Sequence, residues 1–436
     1  MWSSAWTIAS FILPFVTHTR ARLPDGRPHA NTLPFPKVPV VTADDLRVTD
    51  ITGATLPPLS TIYTFDQLID HTNPSLGTFQ QRYWTTWEWY ETGGPIILFT
   101  PGEENAEPYT GYLTNETING QIAQQEHGAT IVLEHRYYGL SNPFSDLSVQ
   151  SLKYHTIQQA IDDLEYFATN VQLPMPGGND VSITTTPWVL VGGSYSGALT
   201  GWTMVNKPGL FRAGYASSAV VEAIVDYWAY FEPIRQFMPA NCSADVEAVI
   251  AHIDSVFTSG STSEINHIKA LFGWQDLTHL DDAAGSFPAS EFSLLRNQVR
   301  YNLADWQSLD VGTGPGGQFF KFCDALEVKN GVSAPASGWG LDHALQAWGS
   351  YWTTTYYPQS DPWREATVSA DGQDIQSTPQ QPIAVGDGFH CSDLLTFNGV
   401  VDSTVLAVQT QGLASIKGWL EGIVPSKRAS VRFGRR

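Results

Sequence analysis

The chain has 436 residues, and 23 Lys and Arg against 43 Asp and Glu leave a net charge of −20, which excludes a nucleic-acid binder working by bulk electrostatics. Only 15% of residues are charged while 42% are hydrophobic, so this is no acidic disordered tail, and the length suits two or three domains around a sizeable core. Three cysteines are too few to build a disulfide scaffold.

In chain order, residues 6–16 form an apolar run broken by Thr7, Ser10 and Pro14, and Thr19-Arg20-Ala21 follows with the small-x-small pattern of a signal-peptidase site. The run is too short to anchor in a bilayer. Residues 1–21 therefore read as a signal peptide, whose only n-region charge is the amino terminus itself. The tripeptides at Asn115 and Asn241 (Asn115-Glu116-Thr117 and Asn241-Cys242-Ser243) are glycosylation acceptors that fit the same route. The expected destination is extracellular, or an acidic vacuole-like or lysosome-like compartment, with no membrane attachment after processing. Residues 22–58, rich in Pro, Thr and Asp with little period, read as an extended arm outside the core. No internal repeat is visible.

From residue 59 to 222 the pattern alternates between strands and helices. Residues 95–100, 129–134 and 188–191 are short, continuously apolar and bounded by Gly or Pro, as strands buried on both faces of a parallel sheet are. Ile157, Ala160, Ile161, Leu164, Phe167 and Ala168 fall on one helical face, and Thr156 can cap that helix. Strand, helix and strand in turn predict an α/β domain.

Gly192-Gly193-Ser194-Tyr195-Ser196-Gly197 follows a predicted strand directly and opens a helical run through Ala198 to Met204. This is the context of a nucleophile elbow, where a serine sits on a tight turn with small residues two before and two after it; Gly192 and Ser196 qualify. Such a turn would expose Ser194 and aim the N–H of Tyr195 at a developing oxyanion. The blander alternative is a Gly- and Ser-rich turn that cradles phosphate or nothing.

A serine nucleophile requires a base and an orienting acid, which in this fold class follow it in the order Ser, Asp, His. Residues 382–385 read as a last strand, and the loop Gly386-Asp387-Gly388-Phe389-His390 puts a histidine where a terminal base belongs. Asp361, in Ser360-Asp361-Pro362-Trp363-Arg364, offers a carboxylate in a turn upstream. His135 is the best of the other histidines, but it precedes the serine and breaks the order.

At these residues the chain resembles a known family. Asp66-Gln67-Leu68-Ile69-Asp70-His71, Glu134-His135-Arg136-Tyr137-Tyr138-Gly139, the Ser194 motif, Asp361-Pro362-Trp363-Arg364 and Gly388-Phe389-His390-Cys391-Ser392-Asp393-Leu394 look like the secreted Pro-specific serine peptidases. That family includes the lysosomal Pro-Xaa carboxypeptidase, its dipeptidyl-peptidase relatives and the fungal acid prolyl endopeptidases, the nearest branch. The resemblance covers roughly residues 64–420. It implies an α/β-hydrolase core with an inserted helical cap and a triad of Ser194, Asp361 and His390.

By that resemblance the core's first part is 59–222, the cap 223–357 and the core's last part 358–424, with a foreign basic tail at 425–436. Helical spacing in the cap shows at Val246, Val249, Ile250, Ile253, Val256 and Phe257, and again at Leu341, Ala344, Leu345, Trp348, Tyr351 and Trp352. Most aromatic residues there are expected in the core; Trp228, Phe231 and Met238 are options for a pocket holding a proline ring. The substrate implied is a proline-containing peptide or protein, attacked by Ser194 while His390 takes its proton, with no metal or organic cofactor. The second oxyanion donor would come from the loop after residues 96–100, near Gly102 and Glu103. The side chains of Glu103 and Glu104 would either meet a substrate amino terminus or simply be solvated.

The chain also departs from the family. Only 167 residues separate Ser194 from Asp361, and the polar residues 353–360 stand where an apolar strand and an Asn-Gly turn are expected. The cap is therefore expected to be incomplete. Cys242 and Cys323 are expected to bridge it, leaving Cys391 unpaired. Two further readings compete: a serine esterase or lipase, which lacks an HGGG-type oxyanion loop here, and an impaired homologue that only binds. The resemblance further implies work in acid, which requires burial of His390 to outweigh the pull of Asp361 on its pKa.

Overall fold

The computed structural model describes residues 38–39, 48–224, 227–272, 303, 306, 309, 318–354, 376–386, 388 and 390–421. The expected signal peptide, most of the expected N-terminal arm, Asp361 and the basic tail lie outside the described residues.

Six strands form one sheet: β1 (Tyr63–Leu68), β2 (Thr78–Thr86), β3 (Ile96–Phe99), β4 (Ala129–Leu133), β5 (Trp188–Gly193) and β6 (Ala213–Ser217), in the order β1-β2-β4-β3-β5-β6. The β4-β3-β5-β6 part is parallel, while β1 and β2 run antiparallel, so the sheet is mixed rather than wholly parallel. Sequence patterning misses β1 and β2 as strands because both carry polar residues inward. Gln67 and Gln81, both buried, satisfy each other through a 2.9 Å hydrogen bond.

Helices α1 (Ile118–Glu126), α2 (Val149–Leu152), α3 (Ile157–Asn170) and α4 (Tyr195–Asn206) connect these strands. The continuous apolar runs are needed because alternate residues face opposite layers. Ile96, Leu98, Ile131 and Leu190 pack with Ala160, Leu164 and Phe167 of α3, whereas Ile97, Phe99, Val132 and Val191 pack with Ile118 and Ile122 of α1. Thr156 caps α3 by accepting from Gln159 N–H.

A second, all-helical core follows. Helices α5 (Glu232–Phe237), α6 (Ala240–Ser259), α7 (Thr262–Leu271), α8 (Gln318–Glu327) and α9 (Leu341–Thr354), with the short pair β7 (Val328–Lys329) and β8 (Val332–Ser333), surround a cluster running from Ile234 to Tyr351. The fold is thus an α/β hydrolase with a helical cap. Cys242 on α6 and Cys323 on α8 form a disulfide across a separation of 81, a closure worth roughly 4 kcal/mol in the chain-entropy picture. Met238 belongs to the cap core and the partly buried Phe231 packs against it; the side chain of Trp228 lies outside the described residues.

The chain returns to the sheet with α10 (Thr396–Val401) and α11 (Ser403–Leu420), whose Ile416 and Leu420 join the α1 layer. The strand expected at residues 382–385 does not form. Those residues run irregularly, Val385 is 72% exposed, and Ile383 N–H donates to the Ser377 hydroxyl at 3.0 Å. A strand exists through its ladder partner, and Pro382 has no N–H to give one. Among the described residues no helix is long and apolar enough to cross a membrane.

Candidate active site

β5 ends at Gly193 and α4 begins at Tyr195, so the chain reverses at Ser194 alone. That residue takes φ 58° and ψ −127°, a strained state for an L-residue that costs on the order of 1–3 kcal/mol and persists only when its surroundings over-determine it. The surroundings do so. Ser194 N–H donates to Ser217 O on β6 at 3.0 Å, and Ser194 O accepts from Ala198 N–H at 3.0 Å. The Ser196 hydroxyl brackets the turn, accepting from Gly193 N–H at 3.0 Å and donating to Gly193 O at 2.8 Å. Gly192 is required by packing, since a Cβ there would lie 2.1 Å from Ser196 O.

Tyr195, the first residue of α4, has an N–H with no acceptor inside its own helix. Its ring is fixed by His135. His135 Nδ1–H donates to Arg136 O at 2.8 Å, so Nε2 accepts from the Tyr195 hydroxyl at 3.0 Å. Burial lowers the His135 pKa to about 4 and keeps the ring neutral for that role. His135 is thus no base, yet it steadies the residue after the nucleophile.

The loop after β3 faces this turn. Gly102 has φ +80°, and a Cβ on it would be 3.1 Å from the Tyr195 ring and 3.3 Å from Ser196 Cβ. Gly102 N–H reaches Thr100 Oγ1 at 3.3 Å, and the Glu103 N–H bonds its own carboxylate. A buried ion pair holds this loop from behind. Glu134 takes Arg82 Nη2 at 2.6 Å and Ala106 N–H at 3.1 Å on Oε1, and Arg82 Nε, Ser141 N–H and the Ser141 hydroxyl on Oε2. Arg82 also donates to Asn105 Oδ1 at 2.7 Å.

Glu103 is not a solvated carboxylate. Its Oε2 is buried without a hydrogen-bond partner, and burial, with a smaller contribution from Glu104, raises its pKa to about 7. Glu104 is shifted upward by burial as well.

On the other side, the His390 ring is half-buried with Nε2 fully covered and unpartnered, and burial lowers its pKa to about 3. Nε2 makes no hydrogen bond to Ser194 here; bonds of this kind often close only around substrate. The loops nevertheless meet, because a Cβ on Gly193 would lie 2.9 Å from Cys391 Sγ and 2.7 Å from Leu394 Cδ1. Cys391 is a buried free thiol, and burial raises its pKa beyond the usual thiol range. Asp361 cannot be placed relative to His390, since it lies outside the described residues.

Of the two asparagines expected as glycosylation acceptors, Asn115 is exposed, whereas Asn241 is half-buried at the start of α6 and its Oδ1 accepts from Cys242 N–H at 2.9 Å.

A strained serine between strand and helix, with the Gly102 loop packed on the first turn of that helix and a histidine loop packed on the preceding glycine, is the arrangement of α/β-hydrolase-fold serine hydrolases. Residues 67–308 match the model of the family described as serine carboxypeptidase S28, and the chain belongs to that family. Serine protease vicPa of Bipolaris victoriae is 39% identical over 305 residues, covering 67% of this chain and 54% of that protein. The lysosomal Pro-X carboxypeptidase of Homo sapiens is 24% identical, covering 85% of this chain and 91% of that protein. In their alignments the chain spans about half the length of the vicPa and vicPb relatives, 54% of each. Among solved structures, the proline iminopeptidase of Mycobacterium smegmatis is similar at a TM-score of 0.36 and 12% identity, covering 81% of this chain and 99% of that one.

Proposed function

We propose that the chain is a secreted serine peptidase that hydrolyses peptide bonds after proline in mild acid through an acyl-enzyme on Ser194. The observation that carries this is the conformation of Ser194, strained and held between β5 and α4 by bonds to Ser217 and Ala198. Ser194 Oγ attacks the carbonyl carbon of the scissile bond, His390 Nε2 takes its proton, and Asp361 orients the imidazole. Tyr195 N–H and Glu103 N–H receive the oxyanion. The protonated His390 then passes its proton to the leaving amine, and water hydrolyses the ester by the same groups in reverse.

Acid work is supported by two carboxyl and imidazole environments. A His390 whose pKa is lowered to about 3 stays neutral, as a base must, well below pH 7. A Glu103 with a pKa of about 7 becomes neutral in acid, which removes a negative charge beside the oxyanion position. Preference for proline, the secretory route and the acidic compartment rest on the motifs and on the similarity to the Pro-X carboxypeptidase.

The 167-residue spacing between Ser194 and Asp361 favours one alternative, an impaired homologue that binds without turnover. One experiment separates the two: labelling with a fluorophosphonate and hydrolysis of a proline-containing peptide at pH 5, in the parent chain and in Ser194→Ala. Both activities in the parent, lost by at least ~10⁴-fold in the variant, are expected of the peptidase. Labelling that survives Ser194→Ala sinks the assignment of the nucleophile.

A further inference from the structure

The histidine loop carries a second acidic residue that the proposed mechanism does not use. Asp393 lies three residues after His390, in a single 3₁₀ turn over Ser392–Leu394; the residue is half-buried, and its carboxylate packs against β6, where burial raises its pKa. Among the described residues it is in no ion pair with Lys or Arg. Its oxygens instead accept from two hydroxyls on β6, the Tyr215 phenol at 2.7 Å on Oδ2 and Ser217 Oγ at 2.5 Å on Oδ1. Its own backbone N–H adds a third bond, yet no cation faces it among the described residues, so its placement calls for a reason.

Ser217 supplies the reason. The same residue whose hydroxyl reaches Asp393 uses its carbonyl to accept the Ser194 N–H at 3.0 Å, the bond that holds the strained turn. Next to it, Ser218 Oγ accepts from Cys391 N–H at 2.8 Å. The loop is further tied to its own helices, with Gln409 Nε2 donating to Asp393 O at 3.1 Å and Asn398 Nδ2 to Ser392 O at 3.0 Å. Those two bonds fix the loop's shape. The links to Ser217 and Ser218, with the packing of Cys391 and Leu394 on Gly193, fix its position relative to Ser194.

We propose that Asp393 is a positioning residue that locks the His390 loop to the nucleophile turn through Ser217, and so sets the distance between base and nucleophile. The inference rests on the reading of Ser194 as nucleophile and His390 as base. Asp393 is not the missing acid of the triad, because its oxygens are turned to β6 and occupied by Tyr215 and Ser217. It acts on the reaction through geometry, and a misplacement of about 1 Å is enough to cost on the order of a hundredfold in rate.

The test compares Asp393→Asn, Ser217→Ala, their double variant and Tyr215→Phe with the parent. Asparagine keeps the size of Asp393, but its amide nitrogen cannot accept, so one of the two hydroxyls loses its acceptor. Asp393→Asn and Ser217→Ala are each expected to lower kcat and the fluorophosphonate labelling rate by 10- to 100-fold, as an order of magnitude, with KM within about threefold. The double variant is expected to be no worse than the weaker single one by more than about threefold, since both cut the same link. Tyr215→Phe leaves the Ser217 link intact and is expected to stay within about threefold of the parent.

Single variants at parental rates with parental melting, or losses that multiply in the double variant, overturn the proposal. If the parent itself neither labels nor turns over, the peptidase reading falls, and the link is then judged by amide exchange at Cys391 and Leu394. Exchange there must rise about tenfold in Asp393→Asn without a matching rise in α3. Unchanged exchange overturns the link, as does a uniform rise across the chain. Should Asp393→Asn fail to fold, Ser217→Ala carries the same comparison.

Discussion

Buried carboxylates are treated differently in the two halves of this molecule. Within the sheet two buried carboxylates meet cations: Glu134 pairs with Arg82, and Asp163 pairs with Arg136 and lies 2.8 Å from His71 Nε2. In the cap and at the mouth of the site they meet each other. Glu327 sits beside Asp245, whose oxygens accept from Trp339 N–H and Gly340 N–H, and Glu103 sits beside Glu104. A carboxylate facing a guanidinium is settled in its charged form, whereas a carboxyl facing a carboxylate is most comfortable holding a proton. The Glu103 and Glu327 carboxyls, whose pKa values are raised to about 7, are therefore the ones that favour mild acid.

The sharpest way to break this contrast is to strip a sheet carboxylate of its charge. Glu134→Gln leaves the Arg82 guanidinium buried against an amide and disturbs the six donors that converge on Glu134. Removing one partner of a buried pair costs about 3–5 kcal/mol. The loss is expected to be similar at pH 5 and pH 8, because Arg82, whose pKa is raised by Glu134, is charged at both. Urea unfolding at the two pH values measures it. A loss confined to one of them would erase the distinction drawn between sheet and cap.

At the mouth the effect is smaller and should appear in catalysis. Glu103 has a pKa of about 7, pushed up first by burial and further by Glu104, with the Tyr109, Tyr138 and Tyr195 phenols around it. As pH rises through 7 it gains a negative charge where the oxyanion must form, so kcat/KM should fall on an alkaline limb near that value. Glu103→Gln cannot ionise and is expected to move or flatten that limb while leaving activity at pH 5 within a fewfold of the parent. A profile identical to the parent's would show that Glu103 does not face the reacting oxygen.

The parts of this arrangement that could be read from the sequence share one physical property: they are local. The buried strands β3, β4 and β5 declare themselves as apolar runs, α3 by its spacing and cap, and the Ser194 turn by small residues between strand and helix, so fold class and elbow geometry were legible. What was hidden depends on distant partners. The strands β1 and β2 look too polar until Gln67 meets Gln81 and Arg82 meets Glu134. Residues 382–385 look like a strand but find no edge, and His135 shows its role only once Tyr195 is placed beside it. The hold of Asp393 on Ser217 spans 176 positions, and no periodicity announces such a contact. The place of Asp361 remains a matter of sequence motif, since it lies outside the described residues.

The cap gives the mildest and most specific prediction. Both oxygens of Glu327 are buried with no donor to accept from, Asp245 lies close, and burial followed by the Asp245 charge raises the Glu327 pKa to about 7, with Lys329 pulling weakly the other way. In the unfolded chain the same carboxyl titrates at its ordinary value of 4.5. Between these two values the folded cap binds a proton that the unfolded cap does not, so stability must fall as pH rises from 4.5 to 7 and stay low above it. Glu327→Gln removes the titration. Its amide can also donate to Asp245, which the ionised acid cannot do. The variant is expected to melt higher than the parent at pH 8 and to match it near pH 4.5. Solvent near the pair reduces the effect to ~1 kcal/mol, or roughly 2–4 °C for a unit of this size. Calorimetry of the whole chain at the two pH values decides the matter: an equal shift at both would mean that Glu327 acts through packing, and a gain only at pH 4.5 would reverse the sign on which the contrast between sheet and cap depends.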